Sequence, residues 1–115
     1  MKTLLLSVLF AALPAFAADA PAGKKPLTVE FTLEPGKVHE ECMRLHKGEA
    51  RRFQWSSDVA VDFNIHYHKG DDALYPFKAN NRKGAKARFA AAETHEYCWM
   101  WTARKAAAQV SATIR

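Results

Sequence analysis

The sequence predicts an all-β protein, an antiparallel β-sandwich of seven to eight short strands with one disulfide. Three observations predict this class. Apolar and polar residues alternate with a period of two in most segments after residue 26, which is typical of half-buried strands. Turn-forming residues recur about every 8–12 residues, as they do in sandwiches. No segment shows convincing helical periodicity.

The predicted strands follow one another closely along the chain. The clearest one runs from Val59 to His68, where five apolar residues alternate with mostly polar ones. Pro76 favours an edge position for the short segment that contains it, because proline cannot donate a backbone hydrogen bond. In chain order the predicted strands are 27–33, 38–45, 53–55, 59–68, 74–77, 85–89, 97–102 and 108–114.

The N-terminal residues have the pattern of a secretory signal peptide. Lys2 precedes an apolar run that ends at Leu13, and Pro14 and small residues follow it. We predict cleavage after Ala17, and therefore a periplasmic or secreted protein. The alternative is an uncleaved membrane anchor, which the short run disfavours because roughly 20 apolar residues are needed to span a bilayer.

The rest of the chain has the composition of one globular domain. The 115 residues are 49% hydrophobic and 25% charged, with a net charge of +5, which excludes disordered and collagen-like classes. We expect residues 1–17 to be the leader, 18–26 a flexible lead-in and 27–115 a single domain. We expect no transmembrane span in the mature chain.

Two cysteines lie in the predicted mature part, Cys42 and Cys98. In a small exported domain, two cysteines are most simply a disulfide. The alternative is a pair of thiolate metal ligands, which an oxidising compartment and the absence of a CxxC spacing both disfavour.

Three segments of the sequence, residues 48–55, 58–65 and 95–102, resemble the GOLD domain, the lumenal β-sandwich of the p24 cargo receptors. Residues 48–55 and 58–65 resemble its Gly-led strand and the "D-V-x-F-x-I"-like strand that follows. Residues 95–102 resemble its "G-x-Y-x-x-x-W-x-N" strand, and Cys42 with Cys98 resembles the p24 disulfide. The resemblance implies a noncatalytic binding module and supplies no ligand.

The sequence departs from the GOLD pattern at two places. Ala103 stands near the usual Asn, and Thr94 with His95 replaces the usual Gly. No membrane span or coiled coil follows the domain in this sequence, so the resemblance does not imply a p24-type trafficking role.

A His-x-His pair on the clearest strand is a candidate metal site. Residues two apart on a strand point the same way, about 6.5–7 Å apart, so His66 and His68 can converge on one ion. Histidine is a common ligand of copper and zinc, and we expect His39, His46 or an aspartate to complete the shell. The alternative is a solvated strand face that carries two histidines.

An aromatic row near the C-terminus is a candidate binding surface. Tyr97, Trp99 and Trp101 share one strand face, opposite Cys98. If Cys98 bridges inward across the sandwich, the three rings form an exposed patch for a ligand or partner. If Cys98 lies on the outer face, they belong to the core.

Basic residues form a second candidate surface. Arg82, Lys86 and Arg88 lie close together in the sequence, and a basic face suits anionic lipid, lipopolysaccharide or an acidic partner. The alternative is a solvated face that favours solubility. We expect no nucleic-acid partner, because the chain is predicted to be exported and carries no nucleic-acid-binding motif.

The sequence contains no GxSxG, HExxH or phosphate-binding glycine loop, so we predict that the protein is not an enzyme. The hypothesis that fits best is an exported, noncatalytic, GOLD-like module that binds a protein or envelope component. The alternative is a periplasmic metal-handling protein that binds copper or zinc through the His-x-His pair.

Overall fold

The structure is a computed structural model that describes residues 25–115 as six antiparallel β-strands. The predicted signal peptide and most of the predicted lead-in lie outside the described residues. Nothing within the described range is a helix that could cross a membrane. The strands are β1 (Leu27–Leu33), β2 (Val38–Leu45), β3 (Ala50–Lys69), β4 (Asp72–Ala90), β5 (His95–Ala103) and β6 (Ala108–Ile114).

All six strands belong to one sheet, in which β3 has the central place. The order is β1-β6-β3-β5-β2, and β4 pairs with the other edge of β3. The first half of β3 pairs with β6, through residues 53–57, and the second half pairs with β5, through residues 61–66. Each half of β3 therefore has a different partner on this edge, β6 for the first half and β5 for the second.

The predicted number of strands, seven to eight, is wrong because two of the strands are much longer than expected. β3 continues through Ser57, which lies between the predicted strands 53–55 and 59–68, and its register with β4 shifts between Ser56 and Val61. Such a bulge bends a strand without ending it. β4 likewise continues through Pro76 and residues 80–84. It tolerates proline because it pairs with β3 alone.

We call the part of the sheet around the β3–β6 pairs its first half and the part around the β3–β5 pairs its second half. The sheet curls so that these two halves pack against each other through their inner faces. The ring of Phe53 in the first half lies 5.6 Å from that of Phe63 and 6.2 Å from that of Trp99 in the second half. At the two ends of the sheet, Phe31 on β1 stacks on His39 of β2 with 3.9 Å between ring centroids. The all-β antiparallel class is confirmed, as one curled sheet; a sandwich of two separate sheets is not confirmed.

Gly84 allows β3 and β4 to approach closely at the bend. It lies opposite Ser56, and a Cβ atom at this position would lie 2.8 Å from the backbone oxygen of Trp55. The neighbouring atom is backbone and cannot move aside without disturbing the ladder. Only glycine fits here without a shift of the β3 backbone.

The predicted disulfide is present and joins two neighbouring strands of the sheet. Cys42 on β2 and Cys98 on β5 are register partners whose Cα atoms are 4.0 Å apart. Cys42 is exposed, so the bridge lies on the outer face of the sheet. β2 is an edge strand, and the bridge attaches it covalently to the rest of the domain.

Replacing Cys42 and Cys98 by serine should lower the free energy of unfolding by about 2–5 kcal/mol, because a closed loop restricts the unfolded chain. Chemical denaturation in non-reducing buffer measures the change. Reductant should lower the stability of the wild-type protein towards that of the double variant and leave the variant unchanged. Two free thiols in the denatured, unreduced wild-type protein would contradict the bridge.

Candidate functional site

A polar cluster lies on the outer face of the sheet beside the disulfide, with His66 at its centre. His66 is the register partner of Cys98 and is 5% exposed. Its Nδ1 atom is 2.8 Å from Oδ1 of Asn64, and its Nε2 atom is 3.3 Å from a carboxylate oxygen of Glu40 on β2. His66 thus links β3 to the edge strand next to the disulfide.

Burial determines the protonation of His66. Desolvation lowers the pKa of His66 below its ordinary value of 6.5. The carboxylate of Glu40 acts in the opposite direction and raises it, while the neighbouring His68 lowers it further. The neutral ring is therefore favoured in the folded protein near neutral pH.

The structure brings together two of the four predicted metal ligands. The rings of His66 and His68 lie on the same side of β3 with centroids 5.3 Å apart, and His68 is exposed. His39 is stacked on Phe31 at the inner face. His46 lies in the turn after β2, where its side chain is 68% exposed. Neither His39 nor His46 lies with the pair.

A carboxylate oxygen of Glu40 contacts His66 Nε2, but Glu40, His66 and His68 do not bring three donor atoms close enough together to hold one ion. Among residues 25–115, three donor atoms lie within 4.8 Å of one another only in the set Cys42, Glu96 and Cys98, and its two sulfur atoms are bonded to each other. A copper or zinc site at the histidine pair stays a prediction.

The aromatic row is part of the core, which corrects its prediction as a binding surface. Tyr97 is 2% exposed, and Trp99 and Trp101 are fully buried. The reason is the position of the disulfide: Cys98 faces outward towards its neighbour Cys42, so the alternate residues of β5 face inward. Tyr97 also donates a hydrogen bond of 2.6 Å from its hydroxyl to the backbone oxygen of Glu93.

Exposed apolar side chains cluster at the end of the β3–β4 hairpin. The hairpin tip, defined here as residues 68–76, extends past the last β3–β5 pair, which His66 forms with Cys98. Leu74 is 39% exposed and Tyr75 is 44% exposed. Neither residue was among the predicted binding residues; the signal in the sequence was a Leu-Tyr pair that follows shortly after the Gly70-Asp71-Asp72 turn.

The two residues face opposite sides of the tip. Leu74 is the register partner of Tyr67, whose ring packs 5.2 Å from that of buried Tyr97 on the inner side. Tyr75 lies on the outer side, 5.7 Å from the ring of His66, with the Lys78 ammonium 4.6 Å from its centroid. The tip therefore presents an apolar side chain on each face.

The base of the tip is fixed to β5. Tyr67 stacks on His95 with 4.5 Å between centroids. Lys69 lies 3.7 Å from a carboxylate oxygen of Glu93, and that residue also contacts His95 at 2.9 Å. These contacts lower the pKa of the Glu93 carboxyl, chiefly through the hydrogen bond with His95. Together these contacts define the orientation of the hairpin tip relative to the core.

The predicted basic residues Arg82, Lys86 and Arg88 are all exposed on β4. Lys86 and Arg88 lie opposite Gln54 and Arg52 on the outer face of the first half of the sheet. Arg82 lies at the irregular part of the ladder, opposite Val61. The structure thus separates Arg82 from the other two.

Comparison with known proteins identifies a fold and no family. No family model matches the chain, and no curated protein matches it significantly. Among solved structures, the chain is similar to PliG of Aeromonas hydrophila, a periplasmic lysozyme inhibitor of g-type lysozyme, with a TM-score of 0.54 and 8% sequence identity. The similarity covers 81% of this chain and 89% of that one. It shows the all-β fold, and the resemblance to the GOLD domain is not confirmed.

His66 should make stability depend on pH. Its pKa is lower in the folded protein than in the unfolded chain, so protonation favours unfolding. The contribution is fully present above about pH 6.5, the unfolded value, and is lost as the pH falls through the lowered folded value. Between pH 7 and 5, the free energy of unfolding measured by chemical denaturation should therefore fall less in the His66→Gln protein than in the wild type. His46→Gln is the exposed control and should follow the wild type; parallel curves for all three would contradict the expectation.

If the histidine pair binds copper or zinc, titration calorimetry should detect an affinity that depends on both rings. His68→Ala should weaken binding at least about tenfold, because one of two imidazole ligands is lost. His46→Ala should leave the affinity unchanged. Equal affinity in the wild-type, His66→Ala and His68→Ala proteins would place any bound metal elsewhere.

Proposed function

We propose that the protein is an exported, noncatalytic module that binds a partner protein by placing its hairpin tip against a cleft of that partner. The observation that carries the proposal is the pair of exposed apolar residues at the tip, Leu74 and Tyr75. Tyrosine is enriched among the residues that dominate binding energy at protein interfaces. An anchored hairpin presents it with little loss of conformational freedom on binding.

Export is supported by the disulfide and by the leader pattern. The Cys42–Cys98 bridge suits an oxidising compartment. The sequence pattern before Ala17 favours secretion. The structural likeness to a periplasmic protein supports the same compartment.

The structural likeness also suggests the class of partner to examine first. PliG is an inhibitor of a g-type lysozyme, and one way for a protein to inhibit an enzyme is to place a projecting element in the enzyme's cleft. The hairpin tip, with an apolar residue on each face, has a suitable form. We therefore propose a cell-wall hydrolase as the partner and enzyme inhibition as the consequence of binding.

The first test is inhibition of a g-type lysozyme in a lytic assay with increasing amounts of the purified protein. Tyr75→Ala should weaken inhibition by about thirtyfold, the effect of losing about 2 kcal/mol at an interface hot spot. The melting temperature should change little, because the ring lies on the surface and its contacts with His66 and Lys78 are outside the core. Val38→Ala is the matched control, since Val38 is also exposed but lies on β2 away from the tip.

A photo-crosslinking residue at position 75 tests the binding surface for any protein partner. In a periplasmic extract, a distinct cross-linked protein should form with the probe at position 75 and not with the probe at position 38. The same products at both positions, or none at 75, would contradict docking through the tip. A cross-linked protein that is not a hydrolase would support the proposed binding module and would overturn the inhibitor hypothesis.

A further inference from the structure

We propose that the outer face of the first half of the sheet carries a second binding site, for a polyanionic polysaccharide. The site is a row of three arginines on adjacent strands, Arg115 next to β6, Arg52 on β3 and Arg88 on β4, called here the arginine row. It lies on the half of the sheet that pairs with β6 rather than β5, so it is independent of the hairpin tip.

The sheet register places the three arginines side by side. Arg52 is the register partner of Arg88. On its other edge, Arg52 exchanges two backbone hydrogen bonds with Arg115, at 3.0 and 2.8 Å. All three residues are exposed, and neighbouring strands lie about 4.8 Å apart. Three cationic side chains therefore stand in a line across the strands.

This arrangement is unfavourable for the protein alone. Like charges directly opposite each other on neighbouring strands repel. Within residues 25–115, none of the three arginines makes an ion pair or a side-chain hydrogen bond that would offset the repulsion. A bound anion would relieve it, so the row fits a ligand that carries several negative charges.

The surroundings of the row fit a sugar chain. The row borders an open groove of about 630 Å³, to which Lys86 adds a fourth cation and Gln54 and Thr113 add amide and hydroxyl groups. No aspartate or glutamate side chain lines the groove. Amide and hydroxyl groups can exchange hydrogen bonds with sugar hydroxyls, while guanidinium groups pair with sulfate, phosphate or carboxylate substituents.

Two other anionic partners fit this face less well. The large exposed apolar residues within the described range are Val38, Leu74 and Tyr75, and none of them lines the groove. The face therefore lacks the apolar side chains that insert into a membrane interface. The one aromatic residue that lines the groove, Phe53, is buried in the core and offers no exposed aromatic anchor of the kind that dominates protein interfaces.

Heparin, a sulfated polysaccharide, is the probe for the test, with uncharged dextran as the blank. Titration calorimetry of the full chain should give binding that weakens with salt. The double variant Arg52→Ser/Arg88→Ser should bind about tenfold more weakly, since two charge-assisted contacts are lost. The matched control Arg82→Ser/Lys83→Ser removes the same charge from two exposed positions of β4 outside the row, and should lose less than about threefold.

Each outcome decides the proposal. Equal losses in the two double variants would show binding to net charge only and would overturn the site. Polyglutamate or phosphatidylglycerol vesicles could instead bind more tightly than heparin, in a way that depends on Arg52 and Arg88. That result would assign the row to an acidic peptide or a membrane and would overturn the polysaccharide proposal.

The melting temperature of Arg52→Ser/Arg88→Ser at low salt should equal or exceed that of the wild type, because the repulsion between the two guanidinium groups is removed. A large fall would show that the row has a structural role instead.

Discussion

The hydrogen bonding of β3 along both of its edges organises the whole sheet. A strand of 20 residues has more backbone groups than any one of its short neighbours can satisfy on one edge. β6 pairs with its first half and β5 with its second, while β4 follows nearly its whole length on the other edge. The register shift after Ser56 lies between the two halves and allows the sheet to curl around one aromatic core.

That division also separates the two proposed surfaces. The half that pairs with β5 carries the disulfide, the His66 cluster and the hairpin tip. The half that pairs with β6 carries the arginine row and its polar groove. Because large aromatic side chains fill the interior, both surfaces are built on a well-packed support.

Features that depend on the local alternation of apolar and polar residues could be predicted from the sequence, whereas features that depend on which strands pair could not. β1, β2 and β6 have the expected bounds, since each is a short alternating segment between clear turns. Serines at 56 and 57 suggested a turn, but β6 on one side and β4 on the other keep the strand extended there. The orientation of Trp99 could not be fixed from sequence, because it depends on which face of the sheet Cys98 occupies. Arg52 and Arg115 are far apart in the chain, and only the register of β6 against β3 makes them neighbours.

The free edge of β4 has a consequence for self-association. β4 is hydrogen-bonded to β3 alone within the described sheet, so 19 residues leave their second edge unpaired. Unpaired edges invite a second copy to add its own strand. Five lysines and arginines against a single aspartate lie along this strand, so two such edges repel each other. The positive charge of β4 therefore disfavours pairing of two copies of the chain through this edge.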